Sequence, residues 1–176
     1  MEDKKPIFEE KQYFRQIWLW IIVLTVNGVF LYGVFRQMAL KEDFGTEPMP
    51  DMALILLTLF NLALAAFLLF VRLETKVTED DGVYYRYYPL QSFRKIDWDR
   101  VRQAYVRRYN PIREFGGWGL RIGWKKGMAY NVSGKHGLQL VYDQGRHLLL
   151  GTAEPEELED VLKKLGHWKP AEDRDI

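Results

Sequence analysis

Two uninterrupted apolar runs, Ile17 to Phe35 and Met52 to Val71, constrain this 176-residue chain more than any other feature. Each is about the length that crosses the hydrocarbon core of a bilayer as a helix, roughly 20 residues at 1.5 Å each. Average composition hides them. With 25 Lys+Arg against 24 Asp+Glu, a net charge of +1 and 48% hydrophobic residues, the chain looks on average like an ordinary soluble domain. The clustering of the apolar residues places it in a membrane instead. What remains, Leu73 to Gly166, is long enough to bury one modest core and too short for two. The absence of cysteine excludes disulfides, thiol catalysis and thiolate zinc sites.

The first run is too long for a signal-peptide core, no Ala-x-Ala pattern follows Phe35, and a second span comes soon after, so it reads as a retained anchor. Residues 1–16 form a leader that carries Lys4, Lys5, Lys11 and Arg15. The connector, residues 36–51, holds only Arg36 and Lys41 beside Glu42, Asp43, Glu47, Pro48 and Pro50, and Arg72, Lys76 and Arg86 follow the second span. That bias predicts both termini on the cytoplasmic side and the connector outside. Trp18, Trp20 and Tyr32 lie toward the ends of the first run, where aromatic belts form.

Each run contains one amide near its middle, Asn27 and Asn61, at shared depth in an antiparallel hairpin. An amide in hydrocarbon needs a partner, which predicts an Asn27–Asn61 clasp between the helices, with Gly28 and Gly33 permitting close approach. A polar intramembrane site or an oligomer interface is the functional alternative. Neither run contains Asp, Glu, Lys, Arg or His, as a proton or ion path would require.

From Leu73 the pattern changes to alternation punctuated about every ten residues by Gly, Pro, Asp and Asn, the signature of short strands. Strands are predicted at Leu73 to Thr78, Val83 to Leu90, Gln103 to Tyr109, Gly119 to Trp124, Met128 to Val132, Leu138 to Tyr142 and His147 to Gly151. Glu79-Asp80-Asp81-Gly82 supplies the first turn. Val83, Tyr85 and Tyr87 share one face; Leu120, Ile122 and Trp124 share another and are predicted inward. A closing helix starts at Pro155 and repeats Leu158, Val161, Leu162 and Leu165 before Gly166. The predicted class is α+β: a two-helix transmembrane hairpin, then an antiparallel barrel or sandwich of about seven strands capped by an amphipathic helix. Residues 167–176 read as a flexible tail.

Four segments carry a resemblance: Phe14-Arg15-Gln16, Tyr109-Asn110-Pro111-Ile112-Arg113-Glu114-Phe115-Gly116-Gly117-Trp118-Gly119, Ala129-Tyr130-Asn131-Val132-Ser133-Gly134 and Pro155-Glu156-Glu157-Leu158. Through them the whole chain resembles an uncharacterised bacterial family of membrane proteins with two N-terminal spans and a pleckstrin-homology-like (PH-like) domain. The resemblance implies that fold and a bacterial inner-membrane location. It implies no activity. Lipid-binding PH domains usually place Lys and Arg between their first two strands, whereas the corresponding loop here is Glu79-Asp80-Asp81-Gly82, which speaks against phosphoinositide capture by that mode.

Between Gly82 and His147 there are 13 Lys or Arg residues against Asp97, Asp99, Glu114 and Asp143. A basic domain held next to the inner leaflet suits docking on anionic lipid. Arg113, Trp118, Arg121, Lys125 and Lys126 form the candidate partner or lipid surface. The glycines around Trp118 match neither nucleotide fingerprint and read as a turn or bulge. His136, His147 and His167 lack metal-ligand spacing, and no nucleophile elbow surrounds Ser92 or Ser133. Asp97 and Asp99 read as partners of Arg100 and Arg102. No catalytic residue, cofactor site or metal site is assigned. The RNA-binding patterns are absent, so no nucleic-acid partner is expected. The expected function is a non-enzymatic, membrane-anchored adaptor whose domain binds a protein partner or the anionic membrane surface; the alternative is a subunit of a larger membrane complex assembled through the hairpin.

Overall fold

The computed structural model describes residues 5–123, 127–142 and 145–169. The chain forms two compact units: Arg15–Phe70, and the sequence flanking it on both sides.

In the first unit, helix α1 (Ile17–Val34) continues through a π-helical turn (Phe35–Ala39), and helix α2 (Asp51–Phe70) follows the connector. Both helices are long and apolar enough to cross a membrane. Most of their apolar side chains point outward, among them Leu24, Val29, Leu56, Phe60 and Leu69. Gln37 ties the two helices together at the connector, its Nε2 donating to Met49 O at 2.7 Å and to Asp51 Oδ1 at 2.6 Å. Asp51 also places a negative charge at the start of α2, where the helix dipole favours it.

The glycines of α1 act differently from the expectation. A Cβ at Gly33 would stand 2.7 Å from the ring of Phe44, so it is the connector that packs on this glycine; at Gly28 nothing comes within 4 Å. Each amide donates inside its own helix rather than across to the other. Asn27 Nδ2 donates to Val23 O at 2.8 Å, and Asn61 Nδ2 to Leu57 O at 2.9 Å. Asn27 Oδ1 is buried without a hydrogen-bond partner.

The second unit is a two-sheet α+β domain. Its first sheet has the order β1-β2-β3-β4, with β1 (Phe8–Tyr13), β2 (Arg72–Val77), β3 (Gly82–Tyr88) and β4 (Arg94–Asp97), all antiparallel. A 3-10 turn, Trp98–Arg100, leads to the second sheet: β5 (Val101–Arg108), the short helix α3 (Pro111–Phe115), β6 (Gly119–Gly123), β7 (Gly127–Asn131), β8 (His136–Tyr142) and β9 (Arg146–Thr152). Its order is β5-β8-β9-β7-β6, and the β7–β9 pair is parallel. Helix α4 (Pro155–Lys164) completes the domain.

Three features correct the expected architecture. Nine strands are present among the described residues, neither sheet closes into a barrel, and one pair is parallel. The added strands are β4 and, ahead of the hairpin, β1, so part of the supposed leader belongs to the domain. The core lies between the sheets. Phe8, Leu73, Val77, Val83, Tyr85 and Tyr87 from one sheet meet Tyr130, Leu138, Leu140, Leu148 and Leu150 from the other, and α4 adds Leu158, Val161 and Leu162. Tyr85 stacks edge-on against Tyr130 at 5.1 Å.

Residues 167–169, the first of the presumed tail, are held by the domain. His167 stacks on Trp98 at 4.0 Å, and Lys169 exchanges both backbone hydrogen bonds with Ala104 on the free edge of β5. Residues 170–176 lie outside the described ones.

Candidate functional site

The chain leaves the domain for the apolar helices from one end of the first sheet, where Tyr13, Arg72 and Tyr88 form the last row across β1, β2 and β3. The next row is Gln12, Leu73 and Tyr87. Gln12 Nε2 donates to Gly151 O at 2.5 Å, and the Tyr87 hydroxyl lies 3.8 Å from the Cβ position of Gly119. Gly151 pairs with Gly137, and Gly119 with Asn131. The starts of β6 and β8 and the end of β9 therefore belong to this tethered end. The acidic loop Glu79–Gly82, joining β2 to β3, is at the opposite end.

Two loops build the tethered end of the second sheet. Asn110 caps α3, its Oδ1 accepting from Ile112 N at 3.2 Å and Arg113 N at 3.1 Å, and Glu114 returns an oxygen to Asn110 N at 2.8 Å. Pro111 occupies the first helical position, and Gly116 stops the helix with φ 72°. Gly116 and Gly117 thus form a helix C-cap and turn. Tyr109 and Phe115 pack edge-on at 6.1 Å and form a small second core with Ala129 and Leu149, on the face of the sheet away from the main core. Burial pushes the Tyr109 hydroxyl up to about 12.

The second loop, residues 132–135, is bound to the first. Tyr109 N donates to Lys135 O at 2.8 Å, Trp118 Nε1 donates to Gly134 O at 3.2 Å, and Gly119 N donates to Asn131 Oδ1 at 2.8 Å. Arg121 Nε donates back to Trp118 O at 3.0 Å. Arg107 is occupied by Gln139 and Glu114. Arg108, Ile112, Arg113, Lys135 and His136 are exposed around this platform.

Three residues of the expected surface are described. Arg113 and Trp118 lie on the tethered platform, and Arg121 turns its guanidinium toward it. Trp124, predicted inward, and Lys125 and Lys126 lie outside the described residues. The inward prediction for β6 needs a second correction: Leu120 and Ile122 are 43% and 76% exposed. They point to the core-side face, as their pairing with the inward Tyr130 and Met128 requires, but β6 is the edge strand and leaves them uncovered.

Sequence reasoning missed Glu10. It points inward from β1, accepting from the Thr152 hydroxyl and Ala153 N, both at 2.7 Å. Burial raises its carboxyl above the usual range; these hydrogen bonds oppose that shift without cancelling it. On the outer face of the same sheet Glu74 is bound by Arg72 and Arg86. Burial works to raise Glu74, and the two guanidinium partners outweigh it and hold the carboxyl below its ordinary value.

Asp97 pairs with Lys95 at 2.7 Å, with Arg100 adding a weaker electrostatic attraction, while Trp98 between the two aspartates turns inward to donate to Thr78 O. His167 Nε2 bonds to Glu79 O and packs on Trp98, a structural role. Among the described residues no three His, Asp or Glu side chains gather as a metal site. No family model matches this sequence, and no curated protein matches it.

Proposed function

We propose that this protein is a membrane-anchored, non-enzymatic binding module, in which the apolar hairpin is the anchor and the two-sheet domain is the working part. One observation carries the reading. Strands β1 and β2 are neighbours in one sheet, and the whole apolar hairpin is inserted between them. A hairpin that enters and leaves the same sheet has both ends on one side of any bilayer it crosses. The Lys/Arg bias assigns that side to the cytoplasm, and the resemblance assigns the membrane to the bacterial inner membrane. The seven expected strands and the closing helix support a PH-like sandwich, enlarged by β1 and β4.

The binding role rests on the tethered platform, whose backbone is fixed by reciprocal caps and cross-loop hydrogen bonds while its basic side chains stay exposed. Alkaline carbonate extraction tests the anchor. The full chain is expected to stay in the membrane pellet and to need detergent for release; release by carbonate alone contradicts the reading.

A further inference from the structure

The tethered platform can be taken further. We propose that α3 and the Gly134–His136 segment seat on an anionic lipid surface, with Ile112 entering the headgroup–acyl boundary and Arg108, Arg113 and Lys135 set against lipid phosphates. This rests on the anchoring reading, since it supposes that the hairpin crosses a bilayer.

Short links join the platform's end of the domain to the two helices. Only Phe14, Arg15 and Gln16 separate Tyr13 from α1, and only Val71 separates α2 from Arg72. At most about 3.6 Å per residue, these links reach no more than roughly 15 Å. Tyr13 and Arg72 share the end of the domain that carries α3 and the Gly134–His136 segment, as the Gln12–Gly151 and Tyr87–Gly119 contacts require.

The chemistry of the platform is complementary to anionic headgroups. Ile112 is 65% exposed on a helix whose other apolar members, Pro111 and Phe115, are buried. An isoleucine held out between arginines is suited to an interface that is wet on one side and apolar on the other. Among the described residues, neither Arg108, Arg113 nor Lys135 forms an ion pair, and the nearby carboxylate of Glu114 is spent on Arg107 and Asn110. The acidic first turn of α4 starts from the same end, since Thr152 pairs with His136, but α4 packs on the opposite face of the sheet. Glu79, Asp80 and Asp81 mark the far end. This charge distribution turns the α3 side toward an anionic surface.

The absence of cysteine makes the test direct, because a single introduced cysteine takes a fluorophore at one place. The full chain is reconstituted into nanodiscs of phosphatidylcholine alone or mixed with phosphatidylglycerol. Labels at Ile112→Cys, Leu62→Cys in α2 and Arg146→Cys at the far end of the domain are exposed to acrylamide. The expected result is quenching at Ile112→Cys reduced severalfold in the anionic discs alone, restored by high salt and by Arg108→Gln/Arg113→Gln/Lys135→Gln, with Arg146→Cys unchanged. A fold check by circular dichroism accompanies the triple variant, and Arg113→Glu alone is expected to restore part of the quenching. Full quenching at Ile112→Cys in both discs while Leu62→Cys stays shielded overturns the seat and leaves the anchor intact. Equal shielding in both disc types overturns the role of charge. An exposed Leu62→Cys overturns the anchoring reading and the seat with it.

Discussion

Tyr13 and Arg72 stand opposite each other as the last paired residues of β1 and β2, although the sequence between them is the entire apolar hairpin. The domain is therefore a discontinuous fold. Its first sheet is complete only when the segment before the hairpin returns to pair with the segment after it.

The first prediction concerns that return. Phe8 is 2% exposed and belongs to the main core. Truncating such a side chain costs about 3–5 kcal/mol, a large part of the net stability of a domain this size. Phe8→Ala is expected to lower the denaturation midpoint of the detergent-solubilised chain sharply. Removal of residues 1–14 is expected to leave the domain unfolded. An unchanged midpoint for either variant would show that β1 is dispensable.

Glu10 carries a pH dependence. Its folded-state pKa is raised above the usual 4.5, so the folded state holds the proton more tightly than the unfolded one. The stability this contributes is complete below 4.5 and is lost as pH rises through the raised value. Glu74 has the opposite sign, its contribution being lost as pH falls through its lowered value. The comparison with Glu10→Gln isolates the first effect, because Glu74 is common to both proteins. Relative to the parent, the variant is expected to gain stability as pH rises past 4.5. A pH-independent difference in urea midpoints would contradict the assignment.

Two glycines are steric requirements. A Cβ at Gly82 (φ 143°) would stand 2.0 Å from Ile96 O, and one at Gly127 (φ 74°) would stand 2.0 Å from His147 O. Both obstacles are backbone atoms. Gly82→Ala and Gly127→Ala are expected to destabilise far more than Gly116→Ala, where the space is open and only a positive φ costs about 1–2 kcal/mol. Thermal melts of the three variants give the ranking; equal losses would refute it.

The amides of the two apolar helices give a fourth prediction. Since Asn27 and Asn61 each donate within their own helix, Asn27→Leu and Asn61→Leu are expected to act additively on hairpin stability, with a coupling below about 0.5 kcal/mol. A double-mutant cycle measured by denaturant titration in detergent checks this. Coupling above about 1 kcal/mol would restore an interhelical clasp.

These residues also show what sequence periodicity reveals. The two helices, seven strands and α4 were legible because apolar blocks, two-residue alternation and helical spacing each follow from one kind of burial. Strand β1 was not, because its inward positions are Phe8, Glu10 and Gln12, and two polar residues there erase the alternation. Their partners, Thr152, Ala153 and Gly151, are more than 130 residues away and cannot be read from local pattern. Helix α3 did have a local signal, Asn110-Pro111 before Glu114 with Gly116 after, but the surrounding glycines made a simple turn the readier interpretation. On β6 the alternation gave the correct face and the wrong burial, since edge position is a property of sheet order. Of the candidate surface, Arg113 and Trp118 were placed together by the caps of α3 and the Trp118–Gly134 bond, neither of which is implied by spacing.

The central claim is that the hairpin crosses a membrane with both flanks on one side. Single-cysteine variants Lys11→Cys in β1, Arg146→Cys in β9 and Asp43→Cys in the connector, labelled with an impermeant maleimide in sealed right-side-out and inverted bacterial membrane vesicles, test it most directly. The account predicts that Lys11→Cys and Arg146→Cys react only in inverted vesicles and Asp43→Cys only in right-side-out ones. Reaction of Lys11→Cys and Arg146→Cys from opposite sides, or of all three from the same side, would contradict it.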